Sequence, residues 1–281
     1  GDDLWETQRD YHLDEQEDWT PEQAGEFYQF VVKHLEQAEL NTTACIGKPA
    51  RKKGQKLPGW GHLIEICTSQ DSNLGNISNE FRNCTVTRIT QEDDFSKRST
   101  VEAIKGKIQA NPGTSVHGSL PCTAWSAWQY INAFKGGPAR QKALDKKRAQ
   151  SLRLLGHFAE IAELAVKLGG EVSFEWPAYC SGWVQKPLTD MIQKLGLFTA
   201  RVDGCACGLT SSKGNPVKKP WRFVTSSERL AVSLDALRCP HPKGFIHDKC
   251  QGKETYKMKK EETTLGSAGH SVQKETDRAI R

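Results

Sequence analysis

The stretch Thr114-Ser115-Val116-His117-Gly118-Ser119-Leu120-Pro121-Cys122-Thr123-Ala124-Trp125-Ser126 decides how the chain is read, because a short β-prone segment runs straight into a proline turn that carries a thiol. Residues 114–117 are predicted to be a strand, and Pro121 fixes the backbone just beyond it. In open α/β sheets the carboxyl ends of strands are where ligands are received. Cys122 at that position is a candidate nucleophile, reactive as its thiolate. The competing reading is a small apolar residue packed in a loop.

Toward the amino terminus, residues 84–90 (Cys-Thr-Val-Thr-Arg-Ile-Thr) are β-rich, and residues 62–67 (His-Leu-Ile-Glu-Ile-Cys) form an apolar run broken by one acid. A loop of small polar residues, Thr68 to Gly75, follows the latter run. A first parallel strand ending in small side chains lets a nucleotide-like cofactor approach the backbone. That nominates Glu65, Thr68, Ser69, Asp71 and Ser72 as cofactor contacts, with Pro121 on the loop that carries the cysteine. An acid after an early strand commonly accepts hydrogen bonds from ribose or adenine, which adds Asp93 and Asp94. Those two acids equally suit the start of a helix predicted from Ser99 to about Gln109, where negative charge is favoured.

Toward the carboxyl terminus, Gly136-Gly137-Pro138 breaks the chain, and Arg140, Lys142, Lys146, Lys147, Arg148 and Arg153 make the next helix basic against the single acid Asp145. Phosphate contact is one use of such a run. The helix turns amphipathic through Leu154, Leu155, Phe158, Ile161, Leu164, Ala165 and Leu168, and Gly169-Gly170 ends it. A strand over 171–177 follows, one βα unit after the cysteine, so Glu175 is expected at the same sheet edge as Cys122. A helix over 187–195 comes next, then a strand and loop over 198–209 and a strand over 220–226, with no helix between those two strands.

Pro121-Cys122-Thr123-Ala124-Trp125-Ser126 resembles the Pro-Cys-Gln-x-Phe-Ser signature of the cytosine-5 DNA methyltransferases, whose cysteine attacks C6 of the target cytosine. The resemblance covers roughly residues 60 to 230 and looks like a divergent form of the kind found inside dinoflagellate and retroelement-like polyproteins. It implies an α/β, Rossmann-like methyltransferase fold: a mostly parallel sheet with an antiparallel edge strand and helices on both faces. Where the family has Glu-Asn-Val, its glutamate holding the cytosine ring at N3 and the 4-amino group, this chain has Glu175-Trp176-Pro177. Arg222 matches one arginine of the family's Gln-x-Arg-x-Arg element. The loop after the first strand departs from the family's Asp-Leu-Phe-x-Gly-x-Gly-Gly form, keeping an acid and small polar residues.

The resemblance further implies S-adenosylmethionine as cofactor and DNA as substrate, with RNA, or a catalytically silent nucleic-acid-binding module, as alternatives. Trp125, Ser126, Trp128 and Gln129 lie in the part that closes over a flipped base in the resembling enzymes, and with Arg140, Lys146, Lys147 and Arg148 they are the expected nucleic-acid contacts. The aromatic residues among them equally suit the core of the following helix.

With 281 residues the chain can bury one α/β core and a small appendage. The expected division is an acidic arm, helix (Pro21 to about Leu40) and basic linker over 1–57, the methyltransferase-like domain over 58–236, and a Cys/His segment with a polar tail over 237–281. Residues 1–26 hold ten acids against one base, which leaves 38 bases and 24 acids for the remainder, a net +14 that suits a polyanionic partner. No run approaches bilayer length and no signal-peptide pattern opens the chain, so an intracellular place, nuclear or cytoplasmic, is expected. Nine scattered cysteines favour a reducing compartment. Starting on Gly rather than Met, the chain is expected to be part of a larger polyprotein. Cys239, His241, His247 and Cys250 form a candidate structural zinc set, with Cys205 and Cys207 in reserve.

Overall fold

The computed structural model describes residues 61–72, Leu74 and 84–248. The acidic arm, the helix expected from Pro21, the basic linker, Cys250 and the polar tail lie outside the described residues. Six strands and four helices follow in chain order: β1 (Gly61–Ile66), β2 (Cys84–Ile89), α1 (Arg98–Ala110), β3 (Ser115–Gly118), α2 (Ala127–Lys167), β4 (Val172–Pro177), α3 (Lys186–Leu195), β5 (Phe198–Asp203), β6 (Pro220–Thr225) and α4 (Glu228–Asp235). Each predicted strand and helix within this range is present, with bounds within a residue or two except for α2, which begins at Ala127, before the Gly136-Gly137-Pro138 break expected to precede it. α4 was not predicted, although Leu230, Ala231 and Leu234 mark its buried face.

The strands form one sheet in the order β2-β1-β3-β4-β6-β5. β1 pairs parallel with β2 and β3, and β3 parallel with β4, while β6 runs antiparallel to both β4 and β5. The sheet is therefore α/β and mostly parallel, as expected, but the reversed strand is not at the edge. It lies one place in, and β5, parallel to the rest, forms the border. The reason is burial: β6 ends in four consecutive buried residues, Arg222 to Thr225, whereas β5 alternates. A strand covered on both faces belongs inside a sheet.

Two apolar clusters cover the two faces. On one, α1, α2 and α3 pack Ile104, Phe158, Ile161 and Leu188 against Ile64, Ile66, Val116, Phe174 and Val224. On the other, α4 packs Leu230, Ala231 and Leu234 against Ala200, Val202 and Phe223. Adjacent residues of a strand point to opposite faces, so Phe223 and Val224 feed different clusters. Gly118 lies under the Phe158 ring, where a Cβ would come within 2.4 Å of Phe158 Cε2.

α2 is broken at Gly137, which takes φ +65° ahead of Pro138, as the Gly-Gly-Pro sequence required. Its end is a Schellman turn: Gly169 has φ +86°, its N–H bonds Val166 O at 3.1 Å, and the Gly170 N–H bonds Ala165 O at 2.9 Å. Among the described residues no helix is long and apolar enough to cross a membrane.

Candidate functional site

From β1 the chain moves outward to β2, then returns across β1 to β3, so strand order reverses between β1 and β3. The crevice at the carboxyl ends of the strands flanking such a reversal is where open α/β sheets bind ligands. Two loops meet there, residues 67–72 after β1 and residues 119–126 after β3, joined by the Ser119 N–H to Ile66 O at 3.2 Å.

The loop after β1 closes on Glu65. Thr68 Oγ1 donates to Glu65 Oε1 at 2.7 Å and Ser72 Oγ to Oε2 at 2.5 Å. Arg88 of β2 braces it by donating to Ser72 Oγ at 3.0 Å and Ser72 O at 2.9 Å. Burial pushes the Glu65 carboxyl above its ordinary value, against the hydroxyl bonds and the Arg88 charge. No glycine lies between Ile66 and Leu74, and Cys67 takes φ +60° where a glycine would be at ease. Glu65, Thr68 and Ser72 therefore shape this loop, and Ser69, Gln70 and Asp71 are its exposed polar side chains. Small residues at 68, 69 and 72 fit a cofactor that approaches along the backbone.

Asp93 and Asp94 serve their own turn. Thr90 donates its N–H to Asp93 Oδ2 at 2.7 Å, and Ser96 donates its hydroxyl to Asp94 Oδ1 at 2.6 Å. Asp93 closes the short turn Gln91–Asp93 and Asp94 the bend after it, while the first turn of α1 carries no acid, so neither side chain starts that helix.

Glu175 emerges from β4 on the face opposite the Phe174–Trp176 cluster. Ser119 Oγ, in the loop that carries Cys122, donates to Glu175 Oε1 at 3.1 Å. The carboxyl is pushed up to about 7, first by burial and then by the Glu65 charge, while the Ser119 bond and Lys219 pull the other way. The residue as a whole keeps partial contact with solvent, so the group is enclosed by protein yet open on one side. Cys122 is half-buried against the helix-side cluster, and its charge would raise the thiol of buried Cys180 further. Pro121 is half-buried beside it.

Arg222 does not join Glu175. It pairs with Trp176 across the sheet while Glu175 pairs with Phe223, so the two side chains leave opposite faces. The Arg222 guanidinium lies 4.6 Å from the centroid of the Trp183 ring, within the helix-side core. Trp125 is likewise a core residue: 4 % exposed, with its indole N–H on Ser151 Oγ at 2.7 Å. Arg148 covers that ring at 5.5 Å and donates to Ala124 O at 3.3 Å. Burial and these partners turn both residues from base or phosphate contacts into the brace of the 119–126 loop.

Ser126 and Gln129 start α2, the Gln129 N–H bonding Ser126 O at 3.0 Å, and Trp128 lies in its first turn. Arg140 and Lys147 are half-buried on α2, and Lys146 is exposed.

Of the predicted metal set, Cys239, His241 and His247 converge, and Cys205, held in reserve, joins them as a fourth ligand among the described residues; Cys250 lies outside these. Other functional neighbours went unnoticed: Ser119 sits within the opening stretch itself, Lys219 precedes the last strand, and His117 is paired across the sheet with Glu65. Searches against protein-family models, curated proteins and solved structures match nothing to this chain.

Proposed function

We propose that the chain is a methyltransferase acting on C5 of cytosine in DNA through a covalent adduct at Cys122, with S-adenosylmethionine as methyl donor. The observation that carries this reading is the Ser119–Glu175 bond. It ties the loop bearing the thiol to a carboxyl pushed up to about 7, at the sheet edge where ligands bind. The antiparallel β5–β6 pair that closes the sheet is also what the Pro-Cys resemblance implies.

A carboxyl poised near neutrality can donate to cytosine N3 and accept from the 4-amino group, whereas a carboxylate can only accept. Protonation at N3 withdraws electrons from the ring and opens C6 to attack. The Cys122 thiolate then forms the S–C6 bond, and the C5=C6 pair shifts toward C5, which takes the methyl group. Loss of the C5 proton to a base and cleavage of S–C6 restore the double bond and release the thiolate. Covalent addition divides one difficult substitution into easier steps. S-adenosylmethionine, when bound, supplies an electrophilic methyl group. Ser69, Asp71 and the backbone of the Glu65–Ser72 loop would hold it.

A silent binding module is the second reading, favoured by Arg222 facing away from Glu175 and by Cys122 packing against the helix-side cluster while Glu175 leaves the opposite face. The test is a duplex carrying 5-fluorocytosine, incubated with the chain and S-adenosylmethionine. A denaturation-resistant adduct is expected with the wild type and none with Cys122→Ala. Binding of the duplex without any adduct, together with no calorimetric heat for the cofactor, would overturn the enzymatic reading in favour of the module. An adduct on single-stranded RNA alone would move the substrate to RNA.

A further inference from the structure

We propose that Cys205, Cys239, His241 and His247 form a structural zinc site that locks the segment after α4 onto the end of β5. Cys205 comes from the short helical turn Gly204–Cys207 that follows β5, and the other three from the irregular chain beyond α4. Their ligand atoms all lie within 4.8 Å of one another. Cys239 Sγ is 3.5 Å from His241 Nδ1 and 3.3 Å from His247 Nε2, and the two ring nitrogens are 3.2 Å apart.

The three separations among Cys239, His241 and His247 match the edges of a metal tetrahedron, with Cys205 close enough to supply the fourth corner. With Zn–N near 2.05 Å and Zn–S near 2.3 Å, tetrahedral angles place two nitrogens about 3.3 Å apart and a sulfur and a nitrogen about 3.5 Å apart. A neutral imidazole pair could share one N–H···N bond at that distance, but Cys239 Sγ lies within 3.5 Å of both nitrogens, so the three donor atoms face one common point. Two thiolates and two neutral imidazoles also cancel the charge of a divalent ion, which a half-buried site requires. A Cys2His2 set is closed, with no position left for water or substrate, so the ion is structural. Borderline nitrogen and sulfur donors in a tetrahedron select zinc among the common divalent ions.

The surroundings are those of a built site. Asp203 accepts the Cys239 N–H at 3.0 Å on Oδ2 and donates its own N–H to Leu237 O at 2.9 Å. Its Oδ1 is buried and, among the described residues, has no hydrogen-bond partner, so an acceptor stands ready beside the ligands, as outer-shell carboxylates do. Phe245 stacks on the His241 ring at 4.2 Å and meets His247 edge-on at 4.9 Å. The segment 236–248 forms no helix or strand, and its end is fixed by the Asp248 bridge to Val217 and the bonds of Asp248 to Ser211 and Asn215. Metal ligation supplies what regular structure does not, as in other small metal-held elements.

The position gives the ion a second consequence. β5 runs parallel to β4, so the cluster sits at the same sheet edge as Glu175. Gly204, next to Cys205, bonds Lys218 O at 2.8 Å and Lys219 O at 3.1 Å, and Lys219 is the cation that acts on Glu175. The ion thereby braces one wall of the candidate site.

The test is metal analysis of the whole chain, loaded with zinc chloride and dialysed, followed by titration of the metal-free chain with cobalt(II). One zinc per chain is expected, with the intense visible bands of tetrahedral cobalt and near-ultraviolet thiolate charge transfer. Cys205→Ser should lose both signals and Cys250→Ser should keep them. Should Cys205→Ser fail to fold, the wild type still decides. A chelator should speed iodoacetamide labelling of Cys205 and Cys239, mapped by mass spectrometry, and leave Cys250 labelled at one rate throughout. Substoichiometric zinc in the wild type, or metal protection of Cys250 in place of Cys205, overturns the proposal.

Discussion

At Glu175 burial keeps the proton on well above the range of a free carboxyl, and at His117 burial keeps it off. Glu175 rises from 4.5 to about 7, mainly through burial and then the Glu65 charge, with Ser119 and Lys219 opposing. Between those values the unfolded chain has lost a proton that the folded chain retains, so stability falls as pH rises through the window. Discounted for the residue's remaining contact with water, this amounts to about 2 kcal/mol. His117, 1 % exposed and bonded through Nδ1 to Ser173 Oγ at 2.8 Å, drops from 6.5 to about 4 by burial. Here the unfolded chain takes up a proton that the folded chain refuses, so stability rises with pH across that range, by about 3 kcal/mol. The two slopes oppose each other where the windows overlap. Wild-type unfolding free energy, measured in urea, should therefore change little between about pH 5 and 6.5 from these groups. Glu175→Gln should uncover the histidine slope and climb with pH, and the variant should gain most over wild type near pH 8. Superimposable pH profiles for variant and wild type would show that the carboxyl titrates as an ordinary one.

Two glycines on α2 and its end separate packing from propensity. Gly156 is exposed on the helix with nothing within 4 Å of a built Cβ, so Gly156→Ala should stabilise by about 1 kcal/mol through helix propensity alone. Gly170, in the Schellman turn, would drive a Cβ to 1.9 Å from Thr114 O, a backbone atom that cannot step aside. Gly170→Ala should cost about 1–3 kcal/mol, the range for overpacking. Denaturant midpoints shifting in opposite directions at equal m-values would bear this out; a shared direction would contradict it.

The same elements mark what could be read beforehand. The strands and the helix ends were legible because β-rich runs bounded by Gly and Pro, and the Gly169-Gly170 stop, are local signals. The place of β6 was not, because strand order depends on which edges find cover. The facing of Arg222 was hidden for the same reason: its parity against Glu175 follows from the β4–β6 register. Cys205 stood only in reserve because it is far from Cys239 in sequence, and the turn after β5 brings it beside Cys239, His241 and His247.

For the whole molecule, the proposed nucleic-acid contact can be tested on a more specific feature than net charge. α2 buries Leu144, Ser151, Leu154 and Leu155, while Lys142, Lys146 and Arg153 are exposed. These three recur at i, i+4 and i+11, which brings them to one side of a helix with 3.6 residues per turn. This side begins a few residues past the Gly137 kink, on the helix whose first turns follow the Cys122 loop. An acidic arm of net −9 elsewhere in the chain would compete with phosphate for such a face, and because salt weakens that competitor too it would make the response to salt shallower. Each phosphate neutralised by a cation releases counterion, so the slope of log K against log salt counts the contacts. Replacing Lys142, Lys146 and Arg153 together by Ala should reduce that slope for duplex DNA by about 3, near 0.9 per contact, and weaken binding alike for all sequences. Thermal stability should hardly move, since exposed charges contribute little to folding. Fluorescence anisotropy across a salt series reads the slope directly. An unchanged slope in the triple variant would place the polyanion contact on another face, and with it the direction from which a cytosine could reach Cys122.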